Sequence, residues 1–272
     1  MDRPLAPEGM ACRLCGGQDL RLAFTQGNRG EFRFYRCAAC RLVNYDLAGG
    51  LDQGKYAAEY PDPLDPDHAR NRPQTQTFRF LSRHLRPPGR LLDIGCGNGR
   101  LLHLARAAGW DVRGLELSPF LARSVTAALN IPVDIADIGD PGLAERLGRG
   151  HYDVVVLRHV LEHLPDPIRV MALFRELLAG GGHVLLEFPN IDAPNLRWKR
   201  WLARTGLARK TYPPDYRPGH CNEYCRESFR RLAEHAGFEV QVWETYSRDP
   251  VRDWLLRRFP VGTKARTLIR RQ

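Results

Sequence analysis

Four cysteines near the N-terminus form two identical pairs, Cys12-x-x-Cys15 and Cys37-x-x-Cys40. Two thiolates separated by two residues can bind one tetrahedral metal ion from a single tight turn, and a second such turn completes the site. Disulfides are the alternative, but the N-terminus lacks the apolar segment of a secretory signal, so we expect a cytoplasmic protein with reduced thiols. Because all four ligands are thiolates, the pattern predicts structural zinc rather than a catalytic metal.

A second group of residues suited to chemistry is the glycine-rich turn Gly95-Cys-Gly-Asn-Gly99. It follows the apolar run Arg90–Ile94 and precedes the helical pattern Arg100–Ala108. Glycines let the backbone approach a ligand closely where a strand ends. About twenty residues past the turn, the strand pattern Asp111–Leu115 stops at Glu116, whose carboxylate can accept hydrogen bonds from the ribose hydroxyls of a nucleoside.

The spacing of the glycines separates two classes of nucleoside cofactor. Dinucleotide folds favour Gly-x-Gly-x-x-Gly, in which the third glycine lets the helix pack closely beneath a pyrophosphate. Here the spacing is Gly95-x-Gly97-x-Gly99, and Arg100 stands where a dinucleotide fold has its third glycine. S-adenosylmethionine carries no phosphate, so the pattern favours this cofactor over a dinucleotide.

The segment Leu91–Arg100 resembles the first motif of class I S-adenosylmethionine-dependent methyltransferases, and Gly114–Pro119 resembles their second. Three further segments continue the resemblance in the expected order: Asp134–Asp137, His151–Leu157 and Leu178–Leu186. The resemblance implies a Rossmann-like α/β fold, that is, a doubly wound, mostly parallel seven-stranded sheet with helices on both faces. With the cysteine module included, the whole chain resembles bacterial methyltransferases of sugar, polysaccharide and natural-product pathways.

The same resemblance implies a set of cofactor-binding residues at the ends of the strands. These are Asp93, Gly95, Cys96, Gly97, Gly99, Glu116, Leu117, Asp137 and Arg158. The glycines would line the methionine and ribose, and Glu116 would hold the ribose hydroxyls. Leu117 would pack on the adenine, and Asp137 would accept a hydrogen bond from the adenine amino group, although an exposed acid after a strand can also be without a ligand.

Methyl transfer needs a nucleophile aligned with the sulfonium methyl group, and a base when that nucleophile is a hydroxyl or a carbon acid. His220 is the first candidate, because Gly219-His220 resembles a segment of the same bacterial enzymes in which a histidine reaches the active site. His163 and Tyr216 are the next candidates for the catalytic base. The alternative for each histidine is a packing or capping role.

Leu161-Glu-His163 resembles the segment of ubiquinone-type and sugar methyltransferases that borders cofactor and acceptor. It follows the predicted strand Asp153–Leu157. If this turn is helical, His159 and His163 share one face, because they are four residues apart. Glu162 and His163 also offer two ligands for a divalent cation.

Residues 190–224 form an insertion between the strand pattern His183–Phe188 and the helical pattern Ser228–Ala236, where this fold covers its acceptor pocket. The insertion combines basic side chains with two tryptophans: Arg197, Trp198, Lys199, Arg200, Trp201, Arg204, Arg209 and Lys210. A basic amphipathic helix of this kind can bind an anionic acceptor or make weak contact with a membrane surface. A lid helix that packs its aromatic side chains on the core is the alternative.

Three segments are needed to position these residues. Residues 1–45 are expected to form a zinc ribbon around a hairpin of Leu20–Thr25 and Phe32–Cys37. Residues 46–88 read as a proline-interrupted linker with a helix over Thr75–Leu85. Residues 89–272 form the predicted methyltransferase domain, which contains the insertion.

The 272-residue chain has a formal net charge of +10, which is consistent with an anionic partner or with the arginine-rich proteins that a GC-rich genome encodes. No apolar run reaches the roughly 18–20 residues that cross a bilayer. The sequence therefore predicts a cytoplasmic enzyme that methylates the oxygen or carbon of a small, anionic acceptor: a sugar, a polysaccharide precursor or a natural-product intermediate. Its oligomeric state is not predicted.

RNA methylation and a non-catalytic role are two other functions that parts of the sequence would allow. RNA methylation is disfavoured, because enzymes that methylate exocyclic base nitrogens often carry Asn/Asp-Pro-Pro-Tyr/Phe where this chain has Arg158-His-Val-Leu. The N-terminal module also lacks the interleaved basic and aromatic residues of a nucleic-acid platform. A cofactor-binding, non-catalytic partner of a biosynthetic complex is the other alternative.

Overall fold

A computed structural model describes residues 4–52, 62, 64–65, 68–69, 71–205, 207, 210–246 and 262–272. The chain divides into two compact units. Unit 1 comprises Met1–Lys55, His159–Arg169 and Glu187–Thr267, and unit 2 comprises Tyr56–Arg158, Val170–Leu186 and Leu268–Gln272. The boundaries of zinc ribbon, linker and methyltransferase domain stay a prediction.

The strands and helices of the described residues alternate through most of the chain. In chain order they are β1 (Leu20–Gln26), β2 (Phe32–Cys37), β3 (Val43–Tyr45), α1 (Arg72–His84), β4 (Arg90–Ile94), α2 (Arg100–Ala107), β5 (Asp111–Glu116), α3 (Pro119–Leu129), β6 (Val133–Ile135), α4 (Leu143–Leu147), β7 (Tyr152–Arg158), α5 (Pro167–Leu177), β8 (Leu178–Pro189), α6 (Pro194–Arg204), β9 (Asn222–Glu223), α7 (Arg226–His235), β10 (Phe238–Tyr246) and β11 (Lys264–Arg271). Short 3-10 helices cover Leu47–Gly49 and Leu161–His163.

The seven-stranded sheet has the order β10-β11-β8-β7-β4-β5-β6. Strand β4 pairs in parallel with β5 and β7, and β5 pairs in parallel with β6. The chain therefore adds β5 and β6 on one side of β4 and then returns to place β7 on the other. In such sheets the carboxyl ends of the strands at this reversal border a crevice that binds ligands. The predicted Rossmann-like α/β fold with a mostly parallel seven-stranded sheet is confirmed.

The centre of this sheet is apolar, as is typical of parallel strands that are buried on both faces. Leu91, Leu92 and Ile94 of β4 are at most 2% exposed. Ile94 lies opposite Leu115 of β5 and Leu157 of β7. The residues that directly follow Ile94, Leu115 and Leu157 therefore lie at one edge of unit 2. They are the glycine turn after β4, Glu116 and Arg158.

Unit 1 contains a four-stranded sheet in the order β1-β2-β3-β9. The antiparallel pair β1 and β2, with Leu20 opposite Cys37 and Gln26 opposite Phe32, confirms the predicted hairpin. Strand β9 comes from the insertion and pairs with β3, Val43 lying opposite Glu223. The sheet of the cysteine module thus includes residues of the insertion, which no local pattern indicated.

Three elements differ from their predicted form. Helix α1 begins at Arg72, with Pro73 in its first turn, where the missing N–H costs no hydrogen bond. Strand β8 begins at Leu178, directly after α5, and so is longer than predicted. The helical turn considered for residues 159–163 is only the 3-10 helix Leu161–His163, and His159 has a φ of 54°, so the two histidines do not share a helical face.

Candidate functional site

The glycine turn of unit 2 adopts a conformation that favours glycine. Gly95, Gly97 and Gly99 have φ angles of 72°, 57° and 76°, in the left-handed region. Gly99 is required for a second reason, because a Cβ at this position would lie 2.6 Å from Val125 Cγ1 of α3. The third glycine therefore also permits the close packing of α3 at the start of α2.

Glu116, at the end of β5, has its carboxylate against the glycine turn. Its Oε2 accepts a hydrogen bond from the Gly97 N–H at 2.9 Å, and its Oε1 accepts one from the Ser118 N–H at 3.0 Å. A carboxylate has about four acceptor positions, so two remain for hydroxyl donors. The next side chain, Leu117, is 54% exposed. An acceptor beside an exposed apolar side chain fits the ribose and base of a nucleoside.

Asp93 and Cys96 lie in the interior of unit 2. Asp93 is 2% exposed and Cys96 is 3% exposed. A Cβ on Gly114 would lie 3.0 Å from the Cys96 sulfur, so this side chain packs under the turn. Burial raises the pKa of the Cys96 thiol well above its ordinary value. Cys96 would therefore meet a ligand only through its backbone.

Asp137 and Arg158 are engaged by neighbours within unit 2. The exposed Asp137 accepts a hydrogen bond from the Gly139 N–H at 2.7 Å, which forms a local turn. Arg158 Nε donates to the Thr77 hydroxyl of α1 at 3.0 Å. Asp137 keeps a second carboxylate oxygen that can accept a hydrogen bond, as the adenine role requires.

Helix α1 supports the glycine turn through buried amides that the sequence analysis missed. Gln74 Nε2 donates to Asn98 Oδ1 at 2.9 Å, and Asn98 Nδ2 donates to Asn71 Oδ1 at 2.9 Å. Gln74 Oε1 also accepts from the Leu101 N–H of α2 at 3.1 Å. Asn71 and Gln74 belong to the predicted linker, where an amide side chain has the appearance of an ordinary surface residue.

The four cysteines of unit 1 converge. Cys12 and Cys40 Sγ are 3.4 Å apart, Cys15 and Cys37 Sγ are 3.6 Å apart, and all four sulfurs lie within 4.8 Å of one another. A tetrahedral zinc site with bonds of about 2.3 Å has sulfur–sulfur edges of about 3.8 Å, so the arrangement fits zinc. The hydrogen bond between the two thiols lowers the pKa of Cys12 and raises the pKa of Cys40, as expected of adjacent sulfurs that share a proton.

A second group of possible ligands lies elsewhere in unit 1. Glu162, His163 and His220 offer ligand atoms that are all within 4.8 Å of one another. The two imidazole rings meet edge to face, with centroids 4.7 Å apart. Glu162 is 1% exposed, whereas the His220 side chain is 32% exposed and accessible to a ligand.

Hydrogen bonds determine the tautomers of both imidazoles. His163 Nδ1 lies 2.7 Å from the Gly219 carbonyl oxygen, and His220 Nδ1 lies 2.9 Å from Glu223 Oε1. A carbonyl and a carboxylate only accept, so each Nδ1 carries a proton. In the neutral form of each ring, the lone pair is therefore on Nε2.

The pKa values of the cluster shift in different directions. Burial lowers the pKa of His163, which favours its neutral form. Burial also acts to lower the pKa of His220, but the hydrogen bond and charge of Glu223 outweigh it and raise the pKa. Burial acts to raise the pKa of Glu162, yet the hydrogen bond from His159 and the nearby imidazoles lower it.

His159 is a polar residue of this region to which the sequence analysis gave no role. Its Nε2 lies 3.0 Å from Lys264 Nζ, which can only donate, so the neutral ring is protonated on Nδ1. That Nδ1 faces Glu162 Oε1 at 3.4 Å. His159 therefore orients one oxygen of Glu162.

Tyr216 does not join the histidines. Its ring meets Phe32 of β2 at a centroid distance of 5.8 Å, and its hydroxyl is hydrogen-bonded to Gln26. Burial raises the pKa of Tyr216 to about 12. A phenol with this pKa is a weaker candidate for a base near neutral pH than an imidazole.

Helix α6 presents its tryptophans outward. Trp198 and Trp201 stack on each other with centroids 4.9 Å apart and are 59% and 49% exposed, so the alternative in which they pack on the core is wrong. Arg197 and Lys199 are exposed beside them. Arg200 instead donates to the Leu196 and Ile191 carbonyls. Arg209 lies outside the described residues, as does the side chain of Arg204.

Among the described residues, no helix has both the length and the apolar character that a membrane crossing requires.

Comparisons with known proteins agree on one family. The family described as "Methyltransferase domain" matches residues 67–242. A ubiquinone biosynthesis O-methyltransferase of Chromobacterium violaceum is 29% identical over 180 residues, which cover 63% of this chain and 74% of the relative. The enzyme of the same description from Ralstonia nicotianae is 37% identical over 152 residues, 55% of this chain and 60% of the relative.

Solved structures show the same fold. The crystal structure of an S-adenosylmethionine-dependent methyltransferase from Mesorhizobium loti aligns with a TM-score of 0.53 and 19% sequence identity. The alignment covers 71% of this chain and 96% of that one.

Proposed function

The chain belongs to the methyltransferase-domain family, and we propose that it uses S-adenosylmethionine to methylate a hydroxyl group of a small-molecule acceptor. The activity for which its relatives are named, O-methylation in ubiquinone biosynthesis, supports an oxygen nucleophile. The observation that carries the proposal is the pair His163 and His220, whose Nδ1 hydrogen bonds leave the lone pair of each neutral ring on Nε2, where it can accept a proton. The acceptor classes remain those suggested by the sequence: sugars, polysaccharide precursors and natural-product intermediates.

In this proposal the cofactor is held by unit 2. S-adenosylmethionine supplies an electrophilic methyl group on sulfur. Glu116 accepts hydrogen bonds from the ribose, Leu117 covers one face of the adenine, and Asp137 accepts from the adenine amino group. The glycine turn brings its backbone close to the methionine part, and Asp93 supports that turn from the interior.

In the same proposal a histidine takes the proton of the acceptor hydroxyl. His220 is the first candidate base, because Glu223 holds its Nδ1–H and stabilises the ring when Nε2 takes the proton of the acceptor hydroxyl. His163 is the second candidate, since Gly219 orients it in the same way. Tyr216 remains a third candidate, with the disadvantage of its raised pKa. Arg197 and Lys199 are proposed to attract an anionic acceptor.

We also propose that Cys12, Cys15, Cys37 and Cys40 bind one structural zinc ion. The sulfur–sulfur distances support tetrahedral coordination. A segment this short cannot bury enough apolar surface to fold by itself, so metal binding would supply much of its folding free energy, on the order of 10 kcal/mol in zinc-finger peptides.

The function is tested with a panel of hydroxyl acceptors and the variant His220→Ala. The variant should lower kcat by about 10²–10⁴-fold, the usual contribution of a general base, without changing cofactor affinity. The matched control is His235→Ala, an exposed histidine of α7. Methyl transfer to none of the acceptors would refute O-methylation. A normal kcat in His220→Ala would remove that residue from the mechanism.

A further inference from the structure

We infer that Arg13 is a positioning residue for the candidate base His220, because its guanidinium holds the peptide group that follows this histidine. Arg13 lies between Cys12 and Cys15, in the first turn of the four-cysteine site. The contacts of Arg13 are independent of any reaction. Its effect on catalysis rests on the proposed function, in which His220 takes the proton of the acceptor hydroxyl.

The guanidinium of Arg13 bridges two segments of unit 1 that are far apart in the sequence. Its Nη1 donates to the Cys221 carbonyl at 2.9 Å and to Asn222 Oδ1 at 3.4 Å. Its Nη2 donates to the Tyr45 carbonyl of β3 at 2.6 Å. A guanidinium presents its donors in a fixed, planar geometry, so these contacts set the position of β3 relative to the residues after His220.

The partners of Arg13 are buried, which makes the loss of its hydrogen bonds costly. Cys221, Asn222 and Tyr45 are each 0% exposed. The Cys221 carbonyl also accepts from the Tyr45 N–H at 2.9 Å, so both of its acceptor positions are used. Without Arg13 this buried carbonyl loses one of its two donors. Buried polar groups that lose a donor favour a rearrangement of the backbone around them.

The turn of the first cysteine pair holds Arg13 itself. The Arg13 N–H donates to Asn44 Oδ1 at 3.0 Å. Asn44 is fully buried, and its Nδ2 donates to Cys12 Sγ at 3.6 Å. The Gly16 N–H donates to the Cys12 carbonyl at 2.8 Å and closes the turn. Both the backbone and the side chain of Arg13 are thus fixed, and the cysteine turn supports the contact with Cys221.

Cys221 is also tied to residues 162–164. Its N–H donates to the Glu162 carbonyl at 2.8 Å, and its Sγ donates to the His163 carbonyl at 3.2 Å. The N–H, the side chain and the carbonyl of Cys221 are therefore all hydrogen-bonded, and Arg13 contacts the carbonyl. Arg13 thus acts on the orientation of the following peptide group rather than on the attachment of the whole segment.

The imidazole of His220 depends on this segment for two contacts. Its Nδ1 lies 2.9 Å from Glu223 Oε1, and its ring meets that of His163 at a centroid distance of 4.7 Å. The peptide group between Cys221 and Asn222 connects His220 to Glu223, so its rotation changes the distance between imidazole and carboxylate. A hydrogen bond weakens steeply when its geometry departs from the ideal. The guanidinium that holds the Cys221 carbonyl therefore keeps the lone pair of the base on Nε2.

Methylation kinetics of the full-length protein test the effect on catalysis. Arg13→Gln should lower kcat about 10–100-fold, because misplacing a catalytic group by about an ångström has an effect of this size. The affinity for S-adenosylmethionine should not change, since Glu116 and the glycine turn belong to unit 2. Arg13→Lys should have an intermediate kcat, because an ammonium keeps the charge but lacks the planar set of donors. Arg21→Gln, at an exposed arginine of β1, is the matched control and should have the kcat of the wild type.

Nuclear magnetic resonance of the imidazole nitrogens separates a positioning role from a purely structural one. Long-range ¹H–¹⁵N correlations show which ring nitrogen carries the proton, and comparison with His220→Gln assigns the signals of this ring. At a pH at which the ring is neutral, the wild type and Arg21→Gln should carry the His220 proton on Nδ1. Arg13→Gln should show a mixture of both tautomers, whereas a role confined to stability would leave the tautomer unchanged.

Circular dichroism establishes that each variant is folded. The inference is overturned if folded Arg13→Gln keeps the wild-type tautomer of His220. If Arg13→Gln does not fold, Arg13→Lys takes its place in the same comparison, and an unchanged tautomer in that variant overturns the inference.

The two measurements also separate this inference from the proposed function. A changed tautomer with the kcat of the wild type would support the positioning of the ring by Arg13 and contradict His220 as the base. A wild-type protein that methylates none of the hydroxyl acceptors would contradict the proposed function, and the tautomer would still decide whether Arg13 positions His220.

Discussion

The replacement Glu116→Gln tests the cofactor site most directly. Glutamine has nearly the same shape as glutamate but lacks its charge, and its amide group places one donor where the carboxylate has only acceptors. Glu116 accepts from the Gly97 and Ser118 N–H groups. These two hydrogen bonds are present in both the free and the cofactor-bound protein. Their loss therefore destabilises both states to a similar extent and changes the binding affinity little. The affinity change therefore reports the ribose contacts.

The expected magnitude follows from those contacts. A hydrogen bond to a charged group contributes about 1.5–3 kcal/mol, and about 1.4 kcal/mol corresponds to a tenfold change in affinity. Glu116→Gln should therefore weaken S-adenosylmethionine about 10- to 100-fold. The free energy of unfolding should also fall, because one backbone N–H of the turn loses its acceptor.

Isothermal titration calorimetry with S-adenosylmethionine measures the effect. Glu176→Gln, an exposed carboxylate of unit 2, is the matched control and should bind like the wild type. An affinity within twofold of the wild type in folded Glu116→Gln would refute the ribose role. Wild-type binding of NADH as tight as that of S-adenosylmethionine would refute the argument from glycine spacing.

Three further predictions concern the zinc, an ion pair and helix α6. Cys37→Ser should lose the single zinc that survives dialysis against a chelator; unchanged zinc in elemental analysis would contradict the four-cysteine site. Burial acts to raise the pKa of Asp192, but the bidentate hydrogen bonds from Arg36, at 2.6 and 3.2 Å, and the charge of Arg41 lower it. Asp192→Asn should therefore cost about 1–2 kcal/mol at pH 7. This stabilisation is complete above the pKa of unfolded aspartate, about 3.9, and is lost as pH falls through the lower folded pKa. Urea titrations of wild type and variant should thus converge in acid, and a gap that widens would contradict this. Combined Arg197→Ala and Lys199→Ala should raise the KM of an anionic acceptor and leave cofactor affinity unchanged; tight RNA binding that falls steeply with salt and is lost in this variant would instead favour a nucleic-acid substrate.

The sequence was sufficient for features whose signal is local. The apolar run before the glycine turn predicts β4, because a strand covered on both faces needs continuous apolar residues. The register of β4 and β5 then brings the turn and Glu116 to one edge. The two cysteine pairs predict a metal site equally well, since the geometry of each tight turn depends on few residues.

Only the tertiary structure decided what surrounds the histidines. His163 and Gly219 are 56 positions apart, and the rings of His163 and His220 meet although the two residues are far apart in the sequence. Gln74, Asn71 and Asn98 likewise look like surface amides until α1 packs on the turn. Periodicity reports which face of an element is apolar, whereas a polar contact between distant segments depends on the path of the whole chain. The cofactor motif could therefore be predicted from the sequence, and the Glu162–His163–His220 cluster could not.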